Sequence, residues 1–398
     1  MANATTYASE KPITTAILLS LAAAIALGMT RFSYGMLLPP MRKDLDWTYF
    51  VAGSMNTANA IGYFIGAITA PYFLKRFGVA KGVILSSLTA SCLMFIAGNI
   101  IGTEILLVQR LLAGISSSYI FISGGILAAR LGSQHPDKSG FLLGIYYGGT
   151  GIGIAVSALV VPEIQMLTSS YELKHSWQYS WIFLGVLCLI SSILIIIPAN
   201  KVGDIVGTSS KTNKFKFSDF RFSLFGYMLF GAGYIGYMTF VIALLKEQGV
   251  SSSNITLFYS LLGLSVIASS RVWSPMLDKF RGGQSLAILN FLLSLFCLLP
   301  VLSLNMSAVL FSGIGFGGIF LSVVASTTAL VKHNLPQSAW SSGISAFTAA
   351  FAAGQIVGPT LVGWISDGPG GLERGLLISA ILLLLASIIS FPQKELKL

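Results

Sequence analysis

Three arginines lie inside apolar stretches of this chain, where a charge is costly and therefore informative. Arg31, Arg110 and Arg271 each belong to a run of mostly apolar residues that is long enough to cross a membrane as a helix. A charge in such a run costs about 2.5–3.5 kcal/mol, so these side chains are expected to face a cavity or a partner. A guanidinium carries five N–H donors in a planar fork that fits a carboxylate or a phosphate. The pattern predicts an anion site formed by Arg31 with help from Arg110.

A structural role is the alternative for each of these arginines. Arg31 and Arg110 could bond backbone carbonyls of neighbouring helices, and Arg110 could tie the fourth apolar run to the first. Arg271 lies near one end of its run, where snorkelling to the interface or a gating role is favoured over contact with a substrate.

No acidic residue accompanies these cations. None of the 14 Asp and Glu residues lies deep in an apolar run, and the three histidines, His135, His175 and His333, fall between runs. A proton-coupled carrier commonly uses a buried carboxylate or histidine whose pKa is tuned by its surroundings, and the sequence offers no obvious one. An anionic passenger would neutralise the positive pocket.

Aromatic and amide side chains are further candidates for substrate contact. A shift of 203 residues places Arg31 on Tyr234, and Tyr34 and Tyr237 lie one helical turn beyond that pair, on the same face. The whole set of candidates beside the arginines is Tyr34, Asn59, Tyr146, Tyr234, Tyr237 and Gln355. For each one, a hydrogen bond between helices is the alternative role.

Metal, cofactor and nucleotide chemistry are not expected. Cys92, Cys188 and Cys297 lie singly in separate runs without metal-ligand spacing, and we interpret them as packing residues. The glycines near position 150 lack the lysine of a nucleotide-binding loop. No nucleophile or acid–base pair lies within the runs, so the protein is not expected to be an enzyme.

The arginines belong to a membrane protein. Hydrophobic residues make up 54% of the chain and charged residues 10%, against about a quarter charged in soluble domains. Twelve apolar runs of about 20 residues predict twelve transmembrane helices. They lie near 13–38, 48–70, 80–101, 105–130, 140–162, 178–198, 221–245, 255–277, 285–305, 307–331, 340–365 and 375–391. All six tryptophans fall near run ends, which predicts that they sit at the membrane interface.

An internal repeat divides these runs into two sets of six. The shift of 203 residues carries Gly28 to Gly231 and Gly114 to Gly317 without a gap. Such a repeat predicts two pseudo-symmetric six-helix bundles around a central site, as in transporters. The predicted parts are a cytoplasmic tail at 1–12, a bundle at 13–198, a cytoplasmic linker at 199–220, a second bundle at 221–391 and a tail at 392–398.

The net charge of +10 is interpreted as an orientation signal. Most of the 24 lysines and arginines fall in loops on the side of the two termini, which places both termini in the cytoplasm. We therefore expect a multi-pass protein of the plasma membrane, a bacterial inner membrane, that binds no nucleic acid and is a monomer.

Two loops carry related charged motifs. Leu74–Lys81 follows the second run, and Leu277–Phe280 follows the eighth. Both resemble the loop motif of the major facilitator superfamily, although Lys75 stands where that family has an acidic residue and only the second loop keeps it, as Asp278. The resemblance implies a latch at the cytoplasmic face. The residues assigned to gating are Arg76, Arg271, Asp278 and Lys279.

Other motifs make the resemblance more specific. Arg110 precedes Gly114 by four residues, as in the fourth helix of that superfamily. The segments Arg31–Gly35, Gly231–Tyr234 and Thr348–Phe351 resemble its YbfB/YjiJ-like branch, and the likeness extends over nearly the whole chain. It implies the fold of twelve helices in two bundles, alternating access and no particular substrate.

The function expected from these observations is transport of a small organic anion, a carboxylate being favoured. Within the same fold, the alternatives are an exporter of drugs or metabolites and a carrier of a carboxylate siderophore. A membrane sensor or scaffold that transports nothing is an alternative of another class.

Overall fold

A computed structural model describes residues 11–203, 216–336 and 339–396. Residues 1–10 of the predicted N-terminal tail, 204–215 of the predicted linker and the last two residues of the predicted C-terminal tail lie outside this description. The described residues form twelve long helices and no β-strand. The predicted all-α class is confirmed.

The helices follow the predicted runs closely and extend several of them. In chain order they are α1 Pro12–Asp44, α2 Tyr49–Phe77, α3 Val79–Ala97, α4 Thr103–Ser133, α5 Ser139–Ser170, α6 Ser176–Gly203, α7 Arg221–Glu247, α8 Ser252–Lys279, α9 Gln284–Leu302, α10 Met306–Asn334, α11 Trp340–Ser366 and α12 Gly371–Ser390. Eleven of them are long and apolar enough to cross a membrane. The remaining helix, α2, is more polar because it carries Ser54, Asn56, Thr57 and Asn59.

The first helix is π-helical in its middle third. The segment Ala24–Phe32 has this wider winding, with ordinary α-helix on both sides, and the amide of Ser33 donates to the carbonyl of Gly28 over 3.0 Å. Short π-helical segments in α-helices are rare and are frequent at functional sites. Every residue of this segment is buried, including Arg31.

The chain forms two compact units. Among the described residues, the first unit contains 11–46 and 58–203, and the second contains 47–57, 216–336 and 339–396. In the first unit α1 packs on α5 and α3 packs on α6, while in the second α7 packs on α11 and α9 packs on α12. The internal repeat is therefore present in the helix packing of each unit.

Glycines at repeated positions allow equivalent helices to approach closely. In the first unit, a Cβ atom at Gly114 of α4 would collide with the carbonyl oxygen of Asn59 in α2. In the second unit, a Cβ atom at Gly317 of α10 would collide with the carbonyl oxygen of Leu262 in α8. Both pairs are related by the same shift of 203 residues. Small residues at such contacts let transmembrane helices approach closely and pack by van der Waals contact. This matters in a membrane because the hydrophobic effect between helices is weak there.

The start of α2 belongs to the second unit and is capped by a residue of the same unit. The carboxylate of Asp367, which follows α11, accepts hydrogen bonds from the backbone amides of Tyr49 and Phe50, at 2.7 and 2.8 Å. The hydroxyl of Tyr49 also donates to the carboxylate of Glu247. These bonds satisfy amides that the first turn of a helix leaves unpaired, and the negative charge is favourable at a helix N-terminus.

The close approach of α8 and α10 at Gly317 predicts that a larger residue there lowers the stability of the folded protein. We expect Gly317→Ala to lower the free energy of unfolding by about 1–3 kcal/mol, because the backbones of α8 and α10 must separate to admit the methyl group. Gly318→Ala is the matched control on the same helix, since a Cβ atom there has no neighbour within 4 Å. It should be neutral or stabilising by up to about 1 kcal/mol. Thermal unfolding in detergent measures both, and equal effects would contradict the packing described.

Candidate functional site

Arg31 is buried in the first unit and keeps one edge of its guanidinium unpartnered. Only 2% of the residue is exposed, and its Nε and Nη2 atoms have no hydrogen-bond partner among the described residues. The guanidinium carbon lies 5.4 Å from the centre of the Tyr63 ring, which gives a cation–π contact. A ring face compensates a buried cation only in part, and buried N–H groups usually find acceptors. This edge is therefore a candidate binding group.

Arg110 is equally buried but is held by its surroundings. Its Nη1 atom donates to the carbonyl oxygen of Thr30 over 2.8 Å. Its guanidinium carbon lies 5.0 Å from the centre of the Tyr34 ring and 5.7 Å from that of Trp181. The backbone carbonyl of Arg110 accepts a bond of 3.1 Å from the amide of Asn59. Arg110 thus ties α4 to α1, and its predicted contact with a substrate stays a prediction.

Further bonds hold the π-helical segment next to Arg31. The hydroxyl of Thr30 lies 2.7 Å from the carbonyl oxygen of Ala26 and 2.8 Å from the hydroxyl of Ser117 in α4. Together with the bond from Arg110, these contacts fix the backbone at the residue that directly precedes Arg31. The direction of the Arg31 side chain consequently depends on α4.

These two guanidinium groups are buried, whereas the acidic side chains of the described residues are exposed. Glu10 and Asp204 lie outside the described residues, and each of the other acidic residues of the chain is exposed. Arg31 and Arg110 are close enough to interact unfavourably as like charges. The interior of the first unit therefore holds two neighbouring positive charges, while the described carboxylates are exposed.

The other predicted residues of the first unit are buried. Tyr34 lies against Arg110, and the side-chain oxygen of Asn59 has no partner among the described residues. The hydroxyl of Tyr146 donates to the carbonyl oxygen of Phe121 over 2.8 Å, and its ring is in edge contact with that of Tyr147. Tyr146 thus makes the bond between helices that was the alternative to substrate contact.

The predicted residues of the second unit bond to one another and to neighbouring helices. The amide of Gln355 in α11 donates to the hydroxyl of Tyr234 in α7. The hydroxyl of Tyr237 pairs with that of Ser312 over 2.7 Å, and its ring stacks on Phe316 with centroids 4.0 Å apart. These hydroxyls connect helices of their own unit.

Stacked rings continue this arrangement along α7. Tyr227, Phe230 and Tyr234 stack in succession, and Phe351 of α11 stacks on all three, with centroid distances of 5.0–5.6 Å. Aromatic pairs of this kind add to the stability of a packed interior. The aromatic residues predicted for the second half therefore form a continuous stack along α7.

The predicted gating residues are all at the surface of their units. Arg76, Arg271, Asp278 and Lys279 are exposed. The ion pairs among the described residues are His175 with Asp44 and Arg281 with Glu395, and they include none of Arg76, Asp278 and Lys279. The latch that the resemblance implies stays a prediction.

Sequence reasoning missed several residues beside the arginines. Trp181 was assigned to the membrane interface with the other tryptophans, but it is only 1% exposed and its ring faces Arg110. Tyr63 was overlooked, although it lies one helical turn after Asn59 on the same face of α2. Thr30 and Ser117 carry no signal in the sequence, because their pairing depends on how α1 meets α4.

Comparison with solved structures identifies the architecture. A bacterial homologue of the human lysosomal transporter Spinster, in an inward-facing and unoccupied conformation, superposes with a TM-score of 0.69 at 14% identity, covering 94% of this chain and 95% of the other. The E. coli fucose:proton symporter FucP gives 0.59 at 15%, covering 95% and 98%. The nucleoside transporter NupG gives 0.69 at 13%, with the same coverage. At these identities the likeness concerns the fold alone.

A family profile matches nearly the whole chain. Residues 23–391 fit the family described as "Uncharacterised MFS-type transporter YbfB". The match includes α2 to α12 and the part of α1 that carries Arg31, so the resemblance seen in the motifs is confirmed. The chain belongs to this family of major facilitator superfamily transporters.

Proposed function

We propose that this transporter moves a small organic anion, a carboxylate, across the membrane by alternating access. The observation that carries the proposal is the unpartnered edge of Arg31. Its Nε and Nη2 atoms are adjacent donors along one edge of the planar guanidinium group. Both are buried without an acceptor in the described residues. Two parallel N–H groups fit the two oxygens of a carboxylate in a bidentate pair.

The charge balance of the first unit supports an anionic cargo. A buried charge is stable only when it is paired and hydrogen-bonded, and here two arginines lie near each other with every described carboxylate exposed. A bound carboxylate would supply one negative charge and two acceptors at Arg31. A cationic compound would be repelled at the same place.

One side-chain acceptor of the first unit refines the choice of anion. The side-chain oxygen of Asn59 is buried and unpartnered among the described residues. It would accept a hydrogen bond from a hydroxyl or an ammonium group of the cargo. We therefore favour an organic acid that also carries a hydrogen-bond donor over a simple fatty acid.

We further infer that both termini face the cytoplasm of a bacterial plasma membrane. The excess of lysine and arginine in the loops on the side of the termini supports this orientation. A reporter fused to the C-terminus that is active only in the cytoplasm should be active, whereas one that is active only outside should be silent. The opposite result would overturn the assigned orientation.

Transport by variants of Arg31 tests the proposed cargo. We expect purified protein in proteoliposomes to take up at least one member of a panel of radiolabelled mono-, di- and tricarboxylic acids. Arg31→Ala should reduce that uptake by about tenfold or more, because a charge-assisted bidentate pair is lost. Arg31→Lys, which keeps the charge without the fork, should restore part of it. Lys138→Ala, an exposed cation, is the control.

Two results would contradict the proposal. One is a cargo that proves neutral or cationic, which would favour the exporter alternative. The other is uptake of the acid at the wild-type rate by Arg31→Ala.

Thermal stability without cargo should separate the two arginines. Arg110→Gln removes the bond to Thr30 and the contacts with two rings, so it should lower the free energy of unfolding by about 2 kcal/mol or more. Arg31→Gln removes a buried charge whose Nε and Nη2 atoms have no acceptor among the described residues, so stability should stay the same or rise. Unfolding in detergent measures both, and a larger loss for Arg31→Gln would contradict the assigned roles.

A further inference from the structure

A half-open cavity of about 530 Å³ lies in the second unit, where α11 ends and α12 begins. Trp364 of α11 and Ile378 of α12 line one part of it. Asp367 and Arg374, on either side of the connecting loop, line another. The cavity thus has an apolar wall on two apolar helices and a charged part at their ends.

The two charged groups of this cavity are not paired with each other. The carboxylate of Asp367 accepts hydrogen bonds from the backbone amides of Tyr49 and Phe50, which carry no charge. Arg374 makes one bond, 3.3 Å long, to the carbonyl oxygen of Pro369. Neither residue belongs to an ion pair within the described ranges. One carboxylate and one guanidinium therefore face the same cavity with hydrogen-bonding capacity to spare.

The apolar wall continues along the surface of the helices. Trp364 is 66% exposed, and Leu377 and Ile381, on the outer side of α12, are 39% and 40% exposed. In a helix that crosses a membrane such side chains face lipid. Tryptophan near the end of a transmembrane helix is typical of the level of the lipid head groups.

We propose that this cavity binds the head group of a zwitterionic aminophospholipid, with its phosphate on Arg374 and its primary ammonium on Asp367. One acyl chain would follow Trp364 and Ile378 along α12. Such a lipid carries an anion and a cation joined by a short linker and attached to an apolar chain, which are the groups that the charged and apolar residues of the cavity can bind. An anionic lipid or free phosphate would pair with Arg374, but its negative charge would be repelled by the carboxylate of Asp367.

A primary ammonium suits Asp367 better than a quaternary one. Carboxylate oxygens accept hydrogen bonds, which an ethanolamine head group can donate and a choline head group cannot. Because Asp367 also caps α2, the bound ammonium would add a positive charge to the acceptor that holds the first turn of that helix. Binding of the lipid should consequently stabilise the folded protein.

The test is lipid titration of the purified full chain, followed by native mass spectrometry. The probes are phosphatidylethanolamine, phosphatidylcholine and phosphatidylglycerol with the same acyl chains. We expect one phosphatidylethanolamine to bind about tenfold more tightly than either of the others, and Arg374→Gln to weaken it by about tenfold. Lys246→Gln is the matched control, since it removes an exposed cation at the end of α7 that does not line the cavity.

A second variant tests the role of the carboxylate. Asp367→Asn should shift the preference from phosphatidylethanolamine towards phosphatidylglycerol, because the ammonium loses its partner and the repulsion of the anionic lipid is removed. The ratio of the two bound lipids is the readout, so a loss of stability from the weakened cap does not affect it. Equal binding of the three lipids, an unchanged affinity in Arg374→Gln, or an unchanged ratio in Asp367→Asn would overturn the proposal.

Discussion

The constraint on which the first unit depends is the buried guanidinium of Arg31, beside which the described residues place no carboxylate. Arg31 sits in the interior with a tyrosine ring beside it and one donor edge unpartnered in the described residues. Burial of a charge is expensive unless something pairs with it, and most buried polar groups are satisfied for that reason. Arg110 holds the backbone directly before Arg31 through its bond to the carbonyl of Thr30, while its own charge adds to the cost. The proposed cargo would supply the missing negative charge and hydrogen-bond acceptors.

Duplication explains how such a site is placed in a bundle of helices. Gly114 and Gly317 stand at the same point of two repeated helix crossings, and at both a side chain would collide with a backbone carbonyl. The two units share this packing but differ in chemistry. The first contains buried guanidinium groups, and the second contains stacked rings and hydroxyls that bond within their own unit. The fold is therefore repeated while the chemistry is divided.

Much of this could be predicted from the sequence because it depends on composition and spacing. The helix ends follow the apolar runs, and the burial of Arg31 and Arg110 follows from the cost of a charge among apolar residues. Other features depend on contacts between distant residues and leave no local signal. The π-helical winding adds a residue per turn without changing composition, and the cap of α2 by Asp367 joins residues more than 300 positions apart. The contact of Trp181 with Arg110 also leaves no local signal, because a tryptophan near a helix end can face either the interface or a buried cation.

The most direct test of the central claim is the structure of the protein with its transported acid bound. The account predicts two carboxylate oxygens within hydrogen-bond distance of Nε and Nη2 of Arg31, with Arg110 still bonded to the carbonyl of Thr30. A carboxylate bound elsewhere, with the same edge of Arg31 empty or turned towards lipid, would contradict it.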